Sequence, residues 1–141
     1  MKITTQEKIQ LKETAEKYGL KFIIMHGSYA TGKIHPGSDL DIAVLGENKI
    51  ALDQYLAIHG ALADIFGDNK ERELDLKDLW GADPLFKYYV LRDSLLFYGN
   101  ITEFNEFKAY VFRQFDLLQD ILQLEETLIK KQNKLLCQSY A

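Results

Sequence analysis

The sequence predicts an α+β fold with a small sheet of three to four strands flanked by helices, followed by a long C-terminal helix. Short apolar segments bounded by glycine alternate with longer segments in which apolar residues recur every three or four positions. At 141 residues, the chain suits a single domain spanning residues 1–141. With 47% apolar residues, including eight Phe and eight Tyr, it can form a hydrophobic core.

The first half of the chain predicts a helix, two strands and a second helix. The capping-box pattern TTQE at residues 4–7 opens a helix that runs to about Tyr18. The segments LKFIIM (residues 20–25) and DLDIAVL (residues 39–45) predict two strands, the first of them buried. A second amphipathic helix is expected over residues 48–66. Its predicted apolar face consists of Leu52, Tyr55, Leu56, His59, Leu62 and Phe66.

The second half predicts two further strands and two further helices. A third strand is expected near residues 72–79, and an Asp-Pro pair then caps a short helix over residues 83–92. Residues 95–98 predict a short strand, which a Gly-Asn pair ends. The final helix is expected over about residues 102–130. The predicted organisation is therefore a core of about residues 3–100 with this helix packed on it.

The charge and composition of the chain disfavour several classes of protein. A net charge of −4 argues against a surface for long nucleic acid, since that affinity comes mainly from Lys and Arg. The N-terminus has no apolar signal region, and no apolar run reaches the length of a membrane span. Cys137 is the single cysteine, which excludes a disulfide framework or a cysteine metal site. We therefore expect a cytoplasmic protein.

Residues 26–45, HGSYATGKIHPGSDLDIAVL, contain two overlapping patterns typical of phosphate binding. The first is the start of a Walker A loop, G-x-x-x-x-G-K, ending at Lys33. That loop needs Ser or Thr directly after its lysine to bind magnesium, and here the residue is Ile34. It also needs a sustained helix, and Pro36 ends any helix soon after the loop. The Walker interpretation is therefore excluded.

The second pattern is Gly27-Ser28 followed, after ten residues, by Asp39 and Asp41. Two aspartates two positions apart in a strand share one face, about 7 Å apart, where they can bind divalent cations such as Mg²⁺. Gly27 lets a phosphate approach the backbone, and Ser28 opens a short helix that stabilises anions. Metals bridging phosphates suit nucleotidyl transfer. The alternative is that both aspartates are solvated acids at the start of a strand.

Two-metal chemistry usually needs a third carboxylate near the attacking hydroxyl. The segment Glu73-Leu74-Asp75-Leu76-Lys77 alternates between polar and apolar residues, so Asp75 faces away from the core. If this strand pairs beside the second strand, Asp75 joins the two aspartates and can help deprotonate the acceptor. Glu73 shares its face and is the rival candidate, because strand register is weakly fixed by sequence. We favour Asp75.

These residues together resemble the DNA polymerase β-type nucleotidyltransferase superfamily. The residues that carry the resemblance are Gly27, Ser28, Ser38, Asp39, Asp41 and Asp75. Its short length and the serine before the first aspartate make the chain most similar to the minimal nucleotidyltransferases (MNT). Among these it resembles the MNT antitoxins that are encoded beside HEPN-domain toxins. The resemblance covers about residues 3–115.

The resemblance implies a mixed sheet, ATP as co-substrate and Mg²⁺, with two ions, as the metal. It implies that Asp39, Asp41 and Asp75 are the catalytic and metal-binding residues. It assigns nucleotide binding to Gly27, Ser28 and Ser38. The implied function is that of a type VII antitoxin, which transfers AMP to a tyrosine hydroxyl of a HEPN ribonuclease and silences it.

One position departs from the family pattern. Thr31 stands where relatives often carry a basic residue before the glycine. Lys33 is a candidate substitute for neutralising the triphosphate, although a lysine at this position also suits an exposed surface.

Two alternatives to this function remain open at the level of sequence. The first is a nucleotidyltransferase with a small-molecule acceptor, as in antibiotic resistance, and the second is a non-catalytic antitoxin that only covers its partner. No added module for a template or a drug is apparent, which favours an acceptor carried by another macromolecule. The intact aspartates favour catalysis, because a protein that only binds has no need of metal ligands.

The final helix has a wider apolar arc than a small domain usually buries. One stripe is predicted to pack on the sheet and consists of Phe104, Phe107, Val111, Phe115, Leu118 and Leu122. A second stripe is predicted to contact a partner and consists of Tyr110, Phe112, Leu117, Ile121, Leu124 and Leu128. Coverage of the second stripe by other helices of the same chain is the alternative.

Overall fold

The computed structural model describes residues 1–139, which alternate between helices and strands. The elements are α1 (Thr5–Tyr18), β1 (Leu20–His26), α2 (Ser28–Thr31), β2 (Leu40–Gly46), α3 (Leu52–Phe66), β3 (Leu74–Asp78), α4 (Pro84–Arg92), β4 (Leu95–Tyr98) and α5 (Ile101–Ser139). Tyr140 and Ala141, the last two residues of the predicted domain, lie outside the described residues.

The four strands form one sheet in the order β3-β2-β1-β4. β1 pairs antiparallel with both β2 and β4, whereas β2 and β3 run parallel. The predicted α+β fold, a small mixed sheet flanked by helices with a long C-terminal helix, is confirmed. The parallel pair matters for the site, because it brings the first residues of β2 and β3 side by side at one end of the sheet.

Helices cover both faces of the sheet, which explains why β1 is almost continuously apolar. On one face, Ile23 and Met25 of β1 pack with buried residues of α1 and α3. On the other face, Phe22 and Ile24 pack with buried residues of α4 and α5, and the Phe22 ring meets the Phe104 ring edge-on. The helices therefore divide the core into two layers with the sheet between them.

The predicted helix ends follow from side-chain caps. Thr4 and Glu7 form the capping box of α1, with the Thr4 N–H donating to Glu7 Oε2 at 2.7 Å. The Asp83 side chain accepts from the Leu85 N–H at 2.8 Å and begins α4. Asn100 does the same for α5, accepting from a first-turn N–H at 3.0 Å. These caps satisfy backbone donors that the helix itself leaves unpaired.

The predicted apolar face of α3 is partly wrong. Leu52 and Leu56 are 74% and 61% exposed, whereas Ile58 is completely buried although it was not part of that face. Two polar side chains set the rotation of the helix. The Tyr55 hydroxyl donates to the Leu76 carbonyl of β3 at 2.6 Å. His59 Nε2 lies 3.3 Å from the Leu74 carbonyl of the same strand. α3 thus covers backbone groups that an edge strand would leave unpaired.

α5 is longer than predicted, with 39 residues ending at Ser139 rather than near residue 130. The predicted sheet-packing stripe is confirmed at Phe104 and Val111, which are buried, but Leu122 is 48% exposed and does not pack on the sheet. Phe112, predicted to face a partner, instead packs against the core. No helix among residues 1–139 combines the length and the apolar character that a membrane span requires.

Candidate active site

Three polar residues stand side by side at one end of the sheet. The strand register pairs His26 of β1 with Asp41 of β2, and Asp41 in turn with Asp75 of β3. Asp41 lies on the same face as Ala43, which belongs to the core layer under α4 and α5. Asp75 therefore lies directly beside Asp41, as the sequence predicts. Glu73 precedes β3, and its carbonyl accepts from the Leu40 N–H at 2.8 Å.

Gly27 ends β1 at a point where no other residue fits. Its φ of 72° is a conformation that L side chains rarely adopt. A Cβ at this position would lie 2.2 Å from Asp41 Oδ2. The Gly27 carbonyl also accepts N–H bonds from Ala30 and Thr31, both at 3.1 Å, and so begins the single turn of α2. The sequence predicts that this glycine makes room for a phosphate, and the structure shows that it makes room for the Asp41 carboxylate.

The two serines of the motif have different surroundings. Ser28 is the first residue of α2 and is half-buried, directly after Gly27. Ser38 is buried, and its hydroxyl accepts from the His35 N–H at 2.9 Å while its own N–H donates to the His35 carbonyl at 3.0 Å. Ser38 therefore closes the turn that leads into Asp39. Its contact with the nucleotide stays a prediction.

The negative charges of Asp39, Asp41 and Asp75 are only partly balanced by the positive charge of Lys77. Burial, together with the nearby charges of Asp75 and Asp39 and a hydrogen bond that protonated Asp41 donates to the Asp75 carboxylate, raises the pKa of Asp41 from 3.8 to about 6. Lys77 opposes this rise, and its Nζ lies 3.2 Å from Asp75 Oδ1. A cation bound near Asp41 would relieve the remaining repulsion.

Lys77 and His26 were not among the site residues predicted from the sequence. A signal for Lys77 was present, because it stands two residues after Asp75 in an alternating strand and so shares its face. Burial lowers the pKa of His26, which favours a neutral imidazole. Its Nε2 is buried and has no hydrogen-bond partner among residues 1–139. Its position opposite Asp41 depends on sheet pairing, which the sequence does not specify.

The carboxylates of the site suit a magnesium ion whose remaining coordination positions are filled by the substrate and water. Among residues 1–139, no three His, Cys, Asp or Glu side chains already converge on one point. Mg²⁺ is usually held by one or two carboxylates together with water and substrate phosphates, rather than by an all-protein cage. Asp39, exposed just before β2, and Asp41 within β2 provide two such carboxylates on one side of the strand. The residues present therefore fit the metal.

The carboxylates are accessible, since Asp39 is exposed and the Asp75 side chain is 39% exposed. The best-formed concavities of the described residues lie elsewhere, one between α1, β1 and β4 and others along α5. Lys33 lies in the exposed loop after α2, which ends at Thr31.

Comparison with protein families agrees with this geometry. The model of the family named polymerase beta, nucleotidyltransferase matches residues 9–103, which include the whole motif. The chain belongs to the polymerase beta nucleotidyltransferase family. The predicted resemblance and the predicted enzyme class are therefore confirmed.

The most informative relative by sequence is the protein adenylyltransferase MntA of Aphanizomenon flos-aquae (strain 2012/KM1/D3). It is 34% identical to this chain over 122 residues, which cover 82% of this chain and 74% of the relative.

Two solved structures share the fold. A chain of a toxin–antitoxin crystal structure with AMP-PNP matches with a TM-score of 0.67 at 23% identity, covering 82% of this chain and 92% of that chain. A chain of the complex between the tri-AMPylated HEPN toxin of Shewanella oneidensis and its MNT antitoxin matches with a TM-score of 0.64 at 20% identity, covering 86% and 93%. At these identities the likeness concerns the fold.

Proposed function

We propose that this protein transfers AMP from ATP to a tyrosine hydroxyl of a HEPN ribonuclease toxin and thereby acts as its antitoxin. The observation that carries the proposal is that Asp41 and Asp75 lie side by side in the strand register while Gly27 leaves room for the Asp41 carboxylate. The charge of Asp39 is close enough to raise the pKa of Asp41. The 34% identity to a protein adenylyltransferase supports a protein acceptor. We infer a cytoplasmic location, where ATP and the RNA substrates of such a toxin are present.

The proposed reaction forms one bond and breaks another at the α-phosphorus of ATP. The tyrosine oxygen attacks the α-phosphorus, the bond to the oxygen shared with the β-phosphate breaks, and pyrophosphate leaves. Asp75, paired in register with Asp41, takes the hydroxyl proton. Asp39 and Asp41 would hold Mg²⁺, which would supply positive charge to the triphosphate and to the acceptor oxygen. We assign Ser28, at the start of α2, to the phosphates.

Relatives often carry a basic residue at the position of Thr31. Lys77, which contacts Asp75, is a better candidate than Lys33 to provide that positive charge here. Its ammonium lies 3.2 Å from Asp75 and lowers the pKa of Asp41, so its charge acts within the carboxylate cluster. A flexible side chain that is about half exposed can move from Asp75 to a phosphate when ATP enters. We infer that Lys77 balances the triphosphate charge in the loaded site.

The open surface favours a macromolecular acceptor over a small molecule. A small acceptor needs a concave pocket that buries most of its surface and orients its hydroxyl. The carboxylates lie outside the best-formed concavities of the described residues. A tyrosine on a folded partner arrives already oriented, because the partner provides the missing walls.

The ribonuclease activity of the partner distinguishes covalent silencing from mere coverage. A HEPN-domain toxin would be incubated with ATP, Mg²⁺ and the wild type, freed of the antitoxin under denaturing conditions and refolded. We expect it to stay inactive after wild-type treatment and to recover after treatment with Asp39→Asn/Asp41→Asn. The matched control, Asp53→Asn/Asp64→Asn, removes two exposed acids of α3 and should behave as the wild type. Full recovery after wild-type treatment would support a binding antitoxin instead.

A further inference from the structure

The last part of α5 has no cover within the described chain. We define the distal segment as residues 119–139, all of which are exposed. At 1.5 Å per residue it extends for about 30 Å. The part of α5 before it is anchored, since Val111 is buried and the Phe115 ring stacks on Tyr88 with centroids 3.7 Å apart. An anchored helix thus continues into solvent.

The distal segment and the turn before it carry apolar side chains at coiled-coil spacing. One line repeats in steps of four, three, four and seven residues, namely Leu117, Ile121, Leu124, Leu128 and Leu135. A second line repeats every seven residues, namely Leu122, Ile129 and Leu136. These side chains are 48–65% exposed. An apolar surface of this extent on an isolated helix is typical of an interface.

The charges of residues 116–139 are separated by sign. Asp116, Asp120 and Glu125 come first, and Lys131 and Lys134 follow. Between them, Glu126 and Lys130 pair with each other at 3.1 Å within the helix. A second helix with the same sequence is attracted when it runs antiparallel and repelled when it runs parallel and in register.

We propose that the distal segment of α5 pairs with the distal segment of a second copy of this chain, antiparallel and centred at residue 126. This register sets Leu124 of each copy against Leu128 of the other, and Leu117 against Leu135. It also brings Asp120 of each copy beside Lys134 of the other, at the edge of the apolar seam. The pairing is self-complementary in both apolar contacts and charge, as a two-fold interface requires. It does not depend on the proposed function.

The mass of the full-length chain in solution tests the pairing. Light scattering after gel filtration, at tens of micromolar, should give twice the chain mass of 16.3 kDa. The variant Leu124→Glu/Leu128→Glu should give a single chain with an unchanged AMP-transfer or ATP-binding site. The control Gln119→Glu/Asn133→Glu adds the same charge to the polar side of the helix and should remain a dimer. A wild-type monomer at this concentration would overturn the proposal.

Charge reversal tests the direction of the pairing. Asp120→Lys or Lys134→Asp alone should weaken the dimer roughly tenfold, because each places like charges opposite each other at two symmetric points. The double variant should restore the wild-type dissociation constant. Failure of the double variant to recover would contradict the antiparallel register, since both residues then act independently.

Cysteine crosslinking separates the remaining arrangements. In the proposed pairing the two Cys137 residues lie about 30 Å apart, whereas Thr127→Cys in a Cys137→Ser background lies near the two-fold axis. A short bis-maleimide should therefore join Thr127→Cys and leave the wild type unjoined. Crosslinking through Cys137 instead would indicate a parallel pair. Association of the distal segment with the HEPN protein alone, and not with a second copy of this chain, would indicate that the segment binds the toxin. Either result would overturn the proposal.

Discussion

Among single residues, Gly27 has the tightest constraint of the site, because its Cα faces the Asp41 carboxylate and its φ is positive. Gly27→Ala combines both penalties, and we expect a loss of roughly 2–3 kcal/mol in unfolding free energy together with loss of AMP transfer. Urea denaturation and a transfer assay would measure the two effects.

Gly32→Ala is the matched control for this substitution. Gly32 also has a positive φ, 78°, but a Cβ there would meet nothing within 4 Å. The control should therefore show only the backbone penalty, about 1 kcal/mol. Equal effects of the two substitutions would contradict a specific contact between Gly27 and Asp41.

Asp41 makes the stability of the protein depend on pH. Its pKa is about 6 in the folded protein against an ordinary value of 3.8, so the folded state holds the proton more tightly. Stability is therefore lost as pH rises through this window, and the loss is complete above pH 6. Asp41→Asn should raise the melting temperature at pH 7.5 in metal-free buffer, and the gain should vanish near pH 4. A gain that is independent of pH would contradict this cause.

Lys77 should matter for ATP binding more than Lys33 does. Lys77→Met removes the ammonium beside Asp75, and the loss of one charge-assisted contact should weaken ATP binding roughly tenfold or more. Lys33→Met, in the exposed loop, is the matched control and should bind as the wild type. Calorimetric titration with ATP and Mg²⁺ measures the ATP affinity of both variants. A larger loss of affinity in Lys33→Met than in Lys77→Met would mean that Lys33 binds the triphosphate.

At the scale of elements, the strand pattern was predictable and the orientation of the helices was not. Alternation in DLDIAVL and ELDLK placed Asp41 and Asp75 on the correct face, because a strand has only two faces. A helix can rotate continuously, and the rotation of α3 is set by bonds from Tyr55 and His59 to a distant strand. Such long-range hydrogen bonds leave no local pattern in the sequence.

Tyr55 and Leu56 provide a direct test of the orientation of α3. Tyr55→Phe leaves the Leu76 carbonyl without its donor on the edge strand, which should cost about 1 kcal/mol of unfolding free energy. Leu56→Ala truncates a side chain that is 61% exposed and should cost no more than about 0.5 kcal/mol. Urea denaturation of both variants checks this, and a large loss in Leu56→Ala would mean that the predicted apolar face was correct.

In the whole molecule, the carboxylate site and the distal segment of α5 are separate features that call for different partners. The site lies on an open end of the sheet, and the distal segment extends free of both core layers. The sequence predicted the motif residues, since their spacing is local, and it predicted an apolar arc on the last helix. It did not predict His26, whose position opposite Asp41 arises only when the strands pair. The division of residues 1–141 into a core and a C-terminal helix remains a prediction.

The central claim is that the carboxylates at the end of the sheet catalyse AMP transfer to a protein. Intact-mass spectrometry of the neighbouring HEPN protein, after incubation with this protein, ATP and Mg²⁺, tests it most directly. We predict a gain of whole AMP units on tyrosine with the wild type and with Leu124→Glu/Leu128→Glu, and none with Asp39→Asn/Asp41→Asn. A folded wild-type protein that binds the HEPN protein but adds no mass would contradict the claim.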